Sequence, residues 1–186
     1  MNALLDYVRC QAHHNRWANQ QVIAAIAALS DDEYYEPVIP EAKSIHFVLN
    51  HALVIDKLWI GEVVGKDFGI ESSIEILHDK KQDYIVDREA TDRDIVRIVE
   101  GFTEADLEAI LYMDEPEEGE TEWPFIYEVA HVFRHQVHHR GQLATLLLHT
   151  SAPSLKIDHL YLPEPRETAS SQGHDAGVGE TVSAVR

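Results

Sequence analysis

PFIYEVAHVFRHQVHHRGQLATLLLH, residues 124–149, decides the fold class. Phe125, Val129, Phe133, Val137, Leu143 and Leu147 fall on a helical period, and no residue after Pro124 breaks it. Proline suits a first helical turn, where a missing N–H leaves nothing unsatisfied. The other side of this helix carries His131, His135, His138, His139 and Gln142, where a solvated face would normally carry Lys and Glu. A helix this apolar needs partners to bury it, and the rest of the chain supplies them.

Working outward, the chain from Asn2 to about Leu29 repeats the pattern with Leu4, Leu5, Val8, Ala12, Val22, Ile23, Ile26 and Leu29. Ser30 to Pro40 is acidic with two prolines and reads as a connection. A second helix follows Ser44, with Val48, Ala52, Ile55 and Trp59 on its apolar arc and Gly65 and Gly69 as stops. A third spans about Lys80 to Glu100, with Ile85, Ile95, Ile98 and Val99 inward and Gly101 as its end. Tyr112 to Trp123 reads as a loop or a short two-stranded hairpin around Pro116 and Gly119. The expectation is an all-α domain over residues 1–163. From Glu164 to the end at Arg186 no apolar pattern remains, which is the composition of a disordered tail.

The composition narrows the function. The formal charge is −18, with 15 Lys and Arg against 33 Asp and Glu, so there is no basic face for nucleic acid or anionic lipid. No apolar run approaches the ~20 residues of a membrane span, and Met1 to His14 lacks the pattern of a signal peptide. Cytoplasmic location is the expectation. Cys10 is alone, which rules out an internal disulfide and a cysteine-based zinc site. The unusual quantity is twelve histidines.

On a helix, residues four apart stand one above the other, so their imidazoles can converge on one ion. His131/His135 and His135/His139 both have this spacing, yet eight residues rise about 12 Å, so one ion cannot take all three. His135 belongs to either pair. A third ligand must come from another helix. His51 lies on the apolar arc with Val48, Ile55 and Leu58, whereas His46 aligns with Asn50 and Lys57 and should face water. His13 and His14 are weaker candidates. A hydrogen-bonded histidine cluster is the competing reading of the stripe.

The run His135-Gln-Val-His-His139-Arg140-Gly141-Gln142 resembles the HxxxHRGQ signature of the DinB family. Asn15-Arg-Trp17-Ala-Asn19 is similar to that family's Trp-Ala-Asn element, and His51 with Trp59 resembles its second-helix histidine and downstream tryptophan. The resemblance covers roughly Asn2 to Leu162. It implies an up-down-down-up four-helix bundle, often a homodimer, holding zinc or nickel on His51, His135 and His139. His131 and His138 then become neighbours of the site, with Arg140 and Gln142 packing or orienting it.

Relatives in that family include thiol-dependent S-transferases, so the resemblance implies a low-molecular-weight thiol and an electrophile as partners. Three imidazoles leave a divalent ion with open positions where a thiol can bind and lose its proton. A metal-dependent hydrolase and a non-catalytic, metal-stabilised or stress-response protein are the alternatives. Hydrolysis calls for a carboxylate base, and Glu128, the only acid on the histidine stripe, lies too far along it.

Overall fold

The computed structural model of the protein describes residues 2–115 and 119–161. Asn2 starts α1 (Ala3–Ala27) by accepting hydrogen bonds from the Leu4 and Leu5 amides. Ser44 does the same for α3 (Ile45–Val64) through the Phe47 amide. Gly65 ends α3 with φ 67°, a left-handed conformation that glycine adopts without steric cost. The third long helix, α4, spans Lys81–Glu100, and the last, α6, spans Phe125–Leu147.

Two short helices were not anticipated. The expected connection after Ser30 contains α2 (Asp31–Tyr35), and α5 (Glu104–Leu107) follows Gly101. Each opens with a capping box, Ser30/Glu33 and Thr103/Asp106, in which side chains and amides satisfy one another reciprocally. Runs this short carry no apolar period, so only the box announces them. The segment before α6 is an antiparallel hairpin of β1 (Ile110–Glu115) and β2 (Gly119–Pro124), in register from Ile110 opposite Pro124. Pro124 therefore closes a strand and caps α6 instead of occupying its first turn. The tail from Glu164 lies outside the described residues.

Both α1 and α3 pack against α4 and α6. Arg9 and His13 meet Glu100 while Asn19 meets Asp92, so α1 and α4 run in opposite directions. Along α3 and α6, His51 faces His139 and Asp56 faces Gln136, again in reversed order.

The core between these helices is split in two. One apolar cluster gathers Val22, Ile26, Ile45, Leu49, Tyr84 and Leu143, and the other gathers Val8, Trp59, Ile95, Val99, Val129 and Phe133. Between them, at one level on all four long helices, lie Asn15, Asn19, Asp56, Arg88, Asp92, Gln136 and Arg140, all buried. Arg88 ion-pairs with Asp56 and Asp92 at 2.7 Å each. Gln136 donates to Asp56 and Asn19 donates to Asp92, at 2.8 and 2.9 Å. Arg140 donates to Asn15, Asn19 and Gln136. Two cations and two carboxylates thus neutralise one another, as buried charges require. Burial pushes the Asp56 and Asp92 carboxyls above the usual range, Asp92 to about 6, while the Arg88 guanidinium pulls both the other way.

Candidate metal centre

His51 on α3 and His135 and His139 on α6 come together at the level of this polar layer, on the side where α3 meets α6. One ring nitrogen from each lies within 4.8 Å of the other two, so the trio could hold a metal ion. Ring centroids are 5.1 Å apart for His51 and His135, 4.6 Å for His51 and His139, and 4.2 Å for His135 and His139. The two α6 rings approach through Nε2, at 3.0 Å.

Outer contacts orient the rings. The Gln142 side-chain oxygen accepts from His139 Nδ1 at 2.8 Å, and the Gln142 amide nitrogen donates to His138 Nε2 at 3.2 Å. With its proton on Nδ1, neutral His139 turns a bare Nε2 towards the cluster. His51 Nδ1 donates to the Ser73 carbonyl at 2.6 Å, which frees its Nε2 in the same way. That carbonyl belongs to the loop between α3 and α4, which is tied down at His78. Asn50 both donates to and accepts from the His78 backbone, His46 Nε2 donates to the His78 carbonyl, and the His78 ring meets Asp87 at 2.6 Å. His46 is therefore half-buried against this loop and does not simply face water.

His135 has no outer partner, for its Nδ1 is buried without a hydrogen bond among the described residues. All its polar chemistry is on the cluster side. Burial, reinforced by the imidazoles of His139 and His51, holds His135 down to about 3, and burial also lowers His139. Neutral rings with free lone pairs are the state that binds a cation. A purely hydrogen-bonded trio would satisfy the His135–His139 contact but leave His51 Nε2 without a role. A divalent ion uses all three, and two nitrogens on a tetrahedral ion at about 2.0–2.1 Å stand roughly 3.3 Å apart, close to the observed 3.0 Å. The residues present fit the group.

The other candidate residues fall elsewhere. His131 is exposed, 5.7 Å from His135 by ring centroids, and lines a separate cavity between α1 and α6. His138 is exposed, packs edge-on against His139 with ring centroids 4.9 Å apart, and hydrogen-bonds Gln142. Arg140 points away from the histidines into the polar layer, so it packs the helices and does not orient the rings. His13 pairs with Glu100 at 2.8 Å, and His14 meets the Ile157 carbonyl at 3.1 Å. Neither approaches the trio.

A groove of about 680 Å³ opens beside the cluster, with His51 and His139 in its wall. Phe47, Val48, Ile74 and Leu146 make its lining mostly apolar. Sequence reasoning missed this groove and the Ser73 contact, because both depend on where the loop lies. Glu62 and Glu128 line a different cavity, of about 490 Å³, together with Trp59.

The DinB family model matches residues 5–169, most of the chain. No curated protein matches it.

Proposed function

The chain belongs to the DinB family, and we propose that within it this protein is a metal-dependent S-transferase that uses zinc or nickel on His51, His135 and His139. The observation that carries the reading is the convergence of one ring nitrogen from each of three histidines, two with their tautomer set from behind, beside an open apolar groove. When bound, a divalent ion on three imidazoles supplies a position where a low-molecular-weight thiol loses its proton and becomes nucleophilic. The chain's own residues hold His51 and His139 in one tautomer and offer an apolar wall for the electrophile. Loss of water along that wall strengthens the interaction between charges at its end. The expected role of the ion follows imidazole chemistry, since no thiolate of the protein is near the trio to select a softer metal.

The hydrolytic alternative is less well supported, because no carboxylate lines the groove among the described residues. A closed structural site is also disfavoured, since the groove leaves the trio approachable from one side. For the architecture we read an up-down-down-up four-helix bundle, supported by the residue pairings along α1/α4 and α3/α6. Leu4, Tyr7, Trp123, Tyr127 and Val137 form an exposed apolar face on α1, β2 and α6, and we assign it to a homodimer contact. No described helix is long and apolar enough to cross a membrane, and a cytoplasmic location remains our reading.

Metal analysis of protein purified without added metal tests the centre. About one divalent ion per chain is expected, lost in His135→Ala and kept in His138→Ala. Equal loss in both variants would refute the ligand set. Cobalt-substituted protein should then show a sulfur-to-metal charge-transfer band when a small thiol is added. Loaded protein that gives no band with any cellular thiol overturns the transferase reading and leaves the metal site standing.

A further inference from the structure

The groove beside the histidines has a direction. Lys43 stands just before the Ser44 cap of α3, and Phe47 and His51 follow one turn apart on the first turns of that helix. The Lys43 ammonium lies over the Phe47 ring, 4.7 Å from its centroid, and the Phe47 and His51 rings are stacked with centroids 6.4 Å apart. Val48, Ile74 and Leu146 complete an apolar trough between the two ends. Lys43 is exposed, and among the described residues it has no carboxylate within ion-pair distance.

Charge adds the second argument. The chain carries 33 acidic residues and a net charge of −18. None of those acids lines this groove among the described residues, and Lys43 is the one formally charged side chain that does. A surface so acidic repels anions nearly everywhere, so a trough free of carboxylates with an unpaired ammonium at one end selects for them locally.

We infer that the groove takes an elongated amphipathic anion, its charged group held by Lys43 and its apolar body laid over Phe47 towards His51 and His139. This deepens the proposed reading, which assigns reaction chemistry to the histidine end. The substrate class that follows is an electrophile whose anionic group is remote from its reacting carbon. Cationic amphiphiles are disfavoured by Lys43, and neutral ones lose the polar contact but keep the trough.

Calorimetric titration of the full chain with octanoate, octanol and octylammonium tests the assignment, using both zinc-loaded and chelator-stripped protein. Octanoate should bind both forms more tightly than octanol, and octylammonium more weakly than octanol. Lys43→Ala should weaken octanoate about fivefold, the scale of an exposed ion pair, and leave octanol unchanged. Ile74→Ser, at an exposed loop position that does not threaten folding, should weaken both ligands alike. Octanoate binding that ignores Lys43→Ala and needs zinc would mean the ion holds the anion, which overturns the inference. Equal binding of octylammonium, or no binding of octanoate to either form, overturns it too. Zinc content is measured separately, so failure of the metal reading shows as absent metal with octanoate binding intact.

Discussion

Replacing Arg88 with methionine probes the device that sets the four long helices against one another. Arg88 is 2% exposed and ion-pairs with Asp56 and Asp92, which are 0% and 2% exposed. Methionine approximates the length of the side chain but removes the cation, leaving two buried carboxylates with only the Gln136 and Asn19 hydrogen bonds. Breaking a buried pair in this way typically costs about 3–5 kcal/mol, a large part of the roughly 5–15 kcal/mol that holds a domain together. Urea denaturation at pH 8 should show a loss of that size. The loss should shrink as the pH falls. Asp92 is already raised to about 6 by burial, above the ~3.9 of an unfolded chain. The folded state therefore gains protons before the unfolded state does, and lowering the pH through 6 favours folding at this group. Without Arg88 the carboxyls move higher still, and once protonated they need no cation. The triple variant Arg88→Met, Asp56→Asn, Asp92→Asn should recover most of the stability. A penalty under about 1 kcal/mol, or one that stays constant from pH 8 to pH 5, would falsify the account of a charge-balanced layer.

Gln142→Ala should weaken metal binding by about 10- to 100-fold, the usual effect of losing the group behind a ligating imidazole, with little change in folding because Gln142 is exposed. Competition with a chromophoric chelator measures this, and Gln142→Glu, which keeps an acceptor for His139 Nδ1, should restore affinity. Tyr127→Glu with Val137→Glu places charge on the exposed apolar face. Light scattering should find the wild type at twice the chain mass and the variant at the chain mass, and a wild-type monomer refutes the assignment of that face.

Much of this protein is readable along the chain, and the reason is periodicity. The long helices announce themselves because an apolar stripe at three- and four-residue spacing has one stable arrangement, and their caps at Ser44 and Gly65 are local chemistry. His135 and His139 are legible for the same cause, since four residues of helix place two rings one above the other wherever the helix goes. His51 required the resemblance in addition, because no spacing relates residues on different helices. What the tertiary structure decided is everything that depends on relative placement. Arg88 and Asp92, four apart on α4, carry no mark in the sequence that separates a buried pair from an exposed one, and they lie in the core because Asp56 and Asn19 approach from two other helices. Arg140 stands beside a cluster histidine in sequence but turns to Asn15 and Asn19, so two motif elements meet each other and leave the site. The Ser73 carbonyl, which sets the His51 tautomer, and Lys43, which charges one end of the groove, have no sequence signal at all. A backbone oxygen or an isolated lysine acquires its role only from the partner that folding brings within a few ångströms, and periodicity carries no information about that distance.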